Sequence, residues 1–156
     1  MAQMLKADNM FKPCPVDIED EIYPNGSFEF NVTKIIDYIQ KNPDSIPLEE
    51  VLVTDVYNGF SSVNESYMED VEISRPIILA EIAPGQYNVI DGNHRLEKAY
   101  RMGIKNIQAH RLNVKQHIKF LISKKAYTTY IEYWNSKLKL FLIIKIHGCK
   151  QVYFKY

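Results

Sequence analysis

The run at residues 91–95, Asp-Gly-Asn-His-Arg, constrains this chain most, because it stands between an apolar strand pattern and a helical pattern. Residues 87–90 form the strand pattern, and residues 96–102 form the helical pattern, which Gly103 ends. The first backbone N–H groups of a helix have no helical partner and carry partial positive charge. Glycine lets an anion approach the backbone, and His and Arg add donors, so the run predicts a phosphate site.

The composition is that of a globular protein. The chain has 156 residues, of which 46% are hydrophobic and 24% are charged, which favours one domain with a real core. Its 19 Lys and Arg balance its 19 Asp and Glu, so no overall nucleic-acid footprint is present. Residues 105–155 are nevertheless rich in Lys, Arg and His, which leaves local contact with DNA as an alternative.

Cysteine usage and hydropathy bear on the compartment. Cys14 and Cys149 are far apart and form no CxxC, so neither a zinc site nor a disulfide framework is indicated, and a reduced, cytoplasmic location is expected. The N-terminus is too short and too polar for a signal peptide. The longest apolar run, residues 138–146, contains Lys139 and Lys145 and is too short for a membrane span, so no membrane partner is expected.

The periodicity divides the chain into a lead-in at 1–30, a central domain at 31–114 and a C-terminal extension at 115–156. Residues 1–16 look loosely ordered because Pro13 and Pro15 block regular structure. The remaining pattern predicts a turn at 24–26, a helix capped by Asn31 and further helices at 94–102 and 115–136. It also predicts strands at 50–54, 73–82, 87–90 and 106–112, of which the second and third would form a hairpin. Residues 137–156 fit either a strand pair around 147–148 or a weakly folded tail.

Two sets of side chains are expected to pack in the core. The helix after the motif would pack through Leu96, Ala99, Tyr100 and Met102. The C-terminal helix carries an aromatic cluster for which packing against the sheet is favoured over stacking on nucleic acid: Tyr127, Tyr130, Tyr133 and Trp134.

The order of these elements resembles the ParB/sulfiredoxin-like superfamily. The residues that carry the resemblance are 77–79, 87–96, Ala99 and Gly103, and it covers about residues 48–114. The resemblance implies an α+β fold, a small mixed sheet flanked by helices, here with an extra C-terminal helix. It also implies that nucleotide phosphates bind at the motif.

The branches of the superfamily differ in chemistry. ParB proteins use CTP to gate DNA binding, sulfiredoxins use ATP to repair oxidised cysteine, a free-serine kinase uses ADP, and other members are described as nucleases. Asn93 stands where sulfiredoxins carry their catalytic Cys, and Gly-Asn-His-Arg replaces the Gly-Glu-Arg-Arg type of ParB. The motif looks most like the serine-kinase branch, which needs a carboxylate after the first strand, and Asp55 is the nearest candidate.

The phosphate-binding residues that this reasoning assigns are Gly92, Asn93, His94 and Arg95. For Asn93, simple polarity in the first helical turn is the favoured alternative, whereas the pair His94 and Arg95 favours an anion.

The catalytic residues assigned are Asp91, His94 and Asp55. Asp91 would hold Mg²⁺ or act as a base, and its alternative role is the N-cap of the following helix. Asp55 would be a second carboxylate, and its alternative is a solvated loop residue. Residues 69–72 are acidic and are interpreted as solvated surface.

The leading hypothesis is a nucleotide-dependent phosphotransferase or NTPase that uses ATP, ADP or CTP with Mg²⁺. The first alternative is a nucleotide-gated module that binds DNA or protein, with DNA contacting the basic C-terminal third. The second alternative is a ParB-like nuclease. The motif offers only one carboxylate, Asp91, whereas two-metal chemistry requires more. A homodimer is left open.

Overall fold

The structure is a computed structural model that describes residues 2–25, 28–57, 59 and 64–147. Strands and helices are mixed along these ranges, so the fold class is α+β, as expected. The elements in chain order are β1 (Ile22–Asn25), β2 (Phe28–Asn31), α1 (Val32–Lys41), β3 (Leu48–Leu52), α2 (Val53–Val56), β4 (Ile77–Ala83), β5 (Gln86–Asp91), α3 (Asn93–Arg101), β6 (Asn106–Leu112), α4 (Val114–His117) and α5 (Lys124–His147).

Four strands form a mixed sheet in the order β3-β6-β4-β5. β4 runs parallel to β6 and antiparallel to β5, and β3 pairs with β6 antiparallel. The predicted hairpin of β4 and β5 is confirmed, and β6 spans the residues that the pattern predicted. Every residue of the central strand β4 except Glu81 is buried, which fits its near-continuous apolar sequence.

Helices flank this sheet on both faces. Ile78 and Ile90 pack into a cluster that includes residues of α1 and α5, whereas Ile77 and Leu79 pack with Leu96 and Ala99 of α3. Two predicted core residues of the motif helix are instead 48% and 59% exposed: Tyr100 and Met102. They lie at the end of α3, where Tyr100 stacks on Tyr57 with ring centroids 3.7 Å apart rather than on the sheet.

Local sequence explains α1 well. The Asn31 side chain accepts a hydrogen bond from the Lys34 N–H at 3.1 Å, which confirms the predicted cap. Val32, Ile35 and Ile39 are buried along one stripe of the helix.

The N-terminal lead-in is packed more closely than predicted. Residues 2–16 form no helix or strand, but Phe11 stacks on Tyr127 at 3.9 Å, and the Asn135 side chain bonds both the N–H and the C=O of Leu5. β1 and β2, which the pattern did not predict, form a hairpin. Gly26 of the predicted turn lies outside the described residues.

The prediction of one continuous helix over 115–136 is wrong. The chain leaves the helical conformation at 121–123 because backbone partners from distant segments hold it extended. The Ile122 N–H donates to Glu29 O at 3.1 Å, the Cys14 N–H donates to Leu121 O at 2.9 Å, and Phe30 forms a β-bridge with Leu121.

The predicted strand pair within 137–156 is also wrong, because α5 continues as a helix through residue 136 to His147. Residues 148–156 lie outside the described part of the chain. The core cluster on the α5 side joins all three predicted segments. It contains Cys14 and Phe30 of the lead-in, Ile78 of the central domain and Trp134 of the C-terminal extension. The division into three segments stays a prediction.

His117 is buried completely between β4 and α5. Its Nε2–H donates to Glu81 O at 2.7 Å, and the Tyr130 hydroxyl donates to the same oxygen at 2.8 Å. Within the described ranges Nδ1 has no partner. Burial lowers the pKa of His117 from 6.5 to about 4, so the imidazole is neutral at pH 7.

This burial predicts an acid-sensitive stability. As the pH falls below 6.5 the unfolded chain takes up a proton at His117, but the folded chain does not until the pH approaches about 4. The free energy of unfolding should therefore fall by about 3 kcal/mol across this window. Urea unfolding between pH 7 and 4 measures it. His117→Gln, which keeps a donor for Glu81 O, should lose that slope, and an equal slope in both proteins would contradict the prediction.

Candidate functional site

The motif forms a tight junction between β5 and α3. β5 ends at Asp91, Gly92 takes the left-handed conformation with φ 94° and ψ 24°, and α3 begins at Asn93. Gly92 is the N-cap residue, and no side chain caps this helix. The alternative role of Asp91 as the cap is therefore wrong. The first N–H groups of α3 remain available to an external acceptor.

Position 92 requires glycine because its backbone conformation is left-handed and because no room is left for a side chain. A Cβ atom at Gly92 would lie 2.7 Å from Ile77 Cγ2 and 2.8 Å from Arg95 Nη2. The absent side chain thus leaves room for the guanidinium of Arg95, which covers the turn.

Replacing Gly92 with alanine should therefore destabilise the protein in two ways. The left-handed conformation costs a non-glycine residue on the order of 1–3 kcal/mol, and the contacts with Ile77 and Arg95 add to it. Gly85→Ala is the matched control, since φ there is 72° and nothing lies within 4 Å of the added Cβ. Urea unfolding should show a larger loss for Gly92→Ala, and equal losses would refute the crowding.

Arg95 is held in the floor of the site. Its Nη2 donates to Pro76 O at 3.0 Å and to Asp91 Oδ2 at 3.1 Å, and 12% of its side chain is exposed. Its Nε is buried, without a partner among the described residues. Arg95 therefore adds positive charge beneath the helix start while it fixes the Asp91 carboxylate.

Asn93 and His94 occupy the first turn of α3. Asn93 Nδ2 donates to the Tyr23 hydroxyl at 3.3 Å. His94 Nε2 accepts the Asn64 N–H at 3.1 Å, which requires the proton of the neutral ring to be on Nδ1. Both side chains thus connect the motif to neighbouring segments.

α3 also holds the segment 64–72, which we call the wall. Lys98 Nζ donates to Glu69 O and Val71 O, both at 2.9 Å. Arg101 makes a two-pronged contact with Glu65, with both N···O distances 2.7 Å. Those bonds and a further one that Arg101 Nε donates to Glu97 Oε1 raise the pKa of Arg101, and Arg101 lowers the pKa of Glu65.

Lys98→Met should loosen the wall without touching the motif. Loss of the donor for two carbonyls should cost about 1 kcal/mol locally, so hydrogen exchange of wall amides should accelerate roughly fivefold. Lys139→Met, at an exposed position on α5, is the control. Unchanged exchange of the wall amides in Lys98→Met would show that the ammonium does not hold the wall.

A cleft of about 950 Å³, the motif cleft, opens over the junction. The cleft is lined by residues of β1, by the segment 64–72 and the residues that follow it, and by the motif. The charged lining side chains are four carboxylates (Glu21, Asp70, Glu72, Asp91) and two guanidinium groups (Arg75, Arg95), with His94 and the rings of Tyr23 and Tyr67 beside them. A ligand of nucleotide size fits this space.

The structure brings together all the predicted site residues except Asp55. Asp55 is exposed in the first turn of α2 and does not line the motif cleft. β3 ends at Leu52, two residues earlier than the predicted strand, because α2 begins at Val53.

Sequence reasoning missed several cleft residues. Asp70 and Glu72 were interpreted as solvated surface; they are exposed and also line the cleft. Arg75 carried one weak signal, its place just before the strand that pairs with the motif strand. Tyr23 and Glu21 carried none, since the hairpin that positions them was not predicted.

Metal and nucleic-acid contacts have limited support. Residues 2–25, 28–57, 59 and 64–147 contain no group of three or more His, Cys, Asp or Glu that could hold a metal ion. Tyr127, Tyr130 and Trp134 are buried, so packing in the core is confirmed for them, whereas Tyr133 of the same predicted cluster is 37% exposed. Among the helices in the described ranges, none combines the length and apolar character that crossing a membrane requires.

Comparison with known proteins leaves the site to be interpreted from its geometry. No model of a protein family matches the chain, and no curated protein matches it.

Proposed function

We propose that the motif cleft binds a nucleotide through its phosphates and that the protein is an ATP-, ADP- or CTP-dependent phosphotransferase or hydrolase. The observation that carries the proposal is the uncapped start of α3 after Gly92, at the base of a cleft large enough for a nucleotide. The resemblance of residues 48–114 to the ParB/sulfiredoxin-like superfamily agrees with this ligand and suggests the related fold.

The phosphates would meet three kinds of donor. The N–H groups of Asn93 and His94 face outward from the helix start, Arg75 lies on the rim, and Arg95 lies beneath. Groups fixed in this way stabilise charge that develops on a transferred phosphoryl group. Asp91 is the carboxylate nearest to them in sequence and is the proposed base or metal ligand.

The charge of the cleft favours a metal-bound nucleotide. Four carboxylates face two guanidinium groups, so a phosphate without a cation would be repelled. Mg²⁺ takes one or two protein carboxylates and completes its shell with phosphate oxygens and water, which fits Asp91 and the absence of a larger ligand group in the described residues. When bound, Mg²⁺ would neutralise phosphate charge.

Thermal-shift titration with ATP, ADP, CTP and GTP tests the proposal. At about a hundred times Kd a nucleotide with Mg²⁺ should add roughly 2.7 kcal/mol, or about 5–10 °C in Tm, and less without Mg²⁺. Arg75→Gln should weaken binding about tenfold or more, because it removes a charged donor from the rim. Arg95→Ala should abolish binding and also lower stability, since Pro76 O and Asp91 lose their donor.

Arg111→Gln is the matched control, because Arg111 is a partly exposed arginine that does not line the motif cleft and pairs with Glu49. It should leave the nucleotide shift intact. The absence of a shift with every nucleotide, with and without Mg²⁺, would refute the proposed function.

A further inference from the structure

A second, smaller space lies beside the motif cleft and shares the Asp91–Arg95 pair with it. This side chamber has a volume of about 190 Å³. It shares Ile36, Arg75, Asp91 and Arg95 with the motif cleft, so the two spaces are neighbours with a common wall. The predicted phosphate site uses only the motif cleft.

The sheet forms the floor of the side chamber. Ile78 of β4 pairs in register with Asp91 of β5 on one side and with His110 of β6 on the other. The pairing of Ile78 with Asp91 borders a register shift, but all three residues line the side chamber and therefore face the same side of the sheet. The row therefore presents a carboxylate, an apolar side chain and an imidazole, spread over roughly 10 Å at the usual spacing of strands.

α1 forms the opposite side. Ile36, Ile39 and Gln40 line the chamber from one stripe of this helix, and Pro76 closes another side. Ile39 and Ile78 are buried, and Gln40 lies at the exposed rim. Isoleucines thus line the middle of the space between α1 and the sheet. His110 lies at one end, and Asp91 lies at the other with the guanidinium groups of Arg75 and Arg95, which the motif cleft shares.

The hydrogen bonding of His110 defines one of these ends. His110 Nδ1 lies 3.3 Å from Ile46 O, and a carbonyl oxygen only accepts, so Nδ1 carries the proton. In the neutral ring Nε2 is then a hydrogen-bond acceptor. The Asp91 carboxylate at the other end is also an acceptor. Both ends therefore offer an acceptor to a ligand that donates, and the guanidinium groups beside Asp91 disfavour a cationic ligand.

We propose that the side chamber binds the co-substrate of the nucleotide and that this co-substrate is a small alcohol with an apolar body and no cationic group. The identification as a co-substrate rests on the proposed function. A cavity of about 150 Å³ lined by apolar side chains holds a molecule of the size of benzene, so the chamber suits a body of six or seven heavy atoms. The isoleucines contact this body, and its hydroxyl group donates to Asp91 or to His110.

The shared wall gives the alcohol a role in phosphoryl transfer. The hydroxyl oxygen at Asp91 forms the new bond to the terminal phosphorus, and its proton passes to the Asp91 carboxylate. The bond between that phosphorus and the bridging oxygen breaks, and the shortened nucleotide leaves with the bridging oxygen. The alcohol thereby becomes a phosphate ester, and no oxidant or reductant is needed.

NMR titration of the full chain with cyclohexanol tests the inference, with the isoleucine methyl groups labelled. We expect saturable shifts at Ile36, Ile39 and Ile78, and at least about tenfold weaker binding of cyclohexylammonium, because the two guanidinium groups that line the chamber repel a cation. Ile39→Phe fills the chamber and should remove binding, whereas Ile18→Phe, at a fully exposed position, should not.

Two further variants keep the test decisive if Ile39→Phe does not fold. Gln40→Phe covers the rim from an exposed position and should block cyclohexanol, and His110→Phe removes the acceptor and should weaken binding about tenfold. Both should retain the thermal shift with Mg²⁺-nucleotide.

The inference and the proposed function fail separately in this design. Nucleotide binding without any cyclohexanol shift at the three isoleucines, or tighter binding of cyclohexylammonium, would overturn the alcohol site alone. Cyclohexanol binding without nucleotide binding would retain the chamber as a ligand site and overturn its assignment as the co-substrate site.

Discussion

The contact between the guanidinium of Arg95 and the turn at Gly92 is the interaction on which the rest of the site depends. Glycine provides both the left-handed conformation and the room for this guanidinium. Arg95 then ties Asp91, at the end of β5, to the Pro76 carbonyl at the entrance of β4. One side chain thus fixes the helix start, the carboxylate and the edge of the sheet together.

This arrangement gives α3 two tasks. Its first turn directs backbone donors into the motif cleft, while Lys98 and Arg101, further along the helix, hold the wall of the same cleft. Ligand contacts at the start of the helix and wall contacts along its side therefore belong to one rigid element. The Asp91–Arg95 pair lines both the motif cleft and the side chamber, so the proposed nucleotide and the proposed second ligand share it.

Local chemistry predicted those elements whose stabilising contacts are close in sequence. The Asn31 cap, the apolar stripe of α1 and the hairpin of β4 and β5 could be predicted in this way. The break at 121–123 could not be predicted, because its hydrogen bonds come from Glu29 and Cys14, far away in the chain. The motif residues were identifiable for the same local reason, whereas Tyr23 and Glu21 reach the cleft through a hairpin whose sequence has little strand character.

The central claim is that the start of α3 binds phosphate, and an amide NMR titration with Mg²⁺-ADP, Mg²⁺-ATP and Mg²⁺-CTP tests it most directly. The account predicts that at least one nucleotide shifts the amide signals of Asn93 and His94 most strongly. The first amides of α1, whose start is already capped by Asn31, should barely move. Saturating binding that leaves Asn93 and His94 unshifted, or no binding by any of the three, would contradict the account.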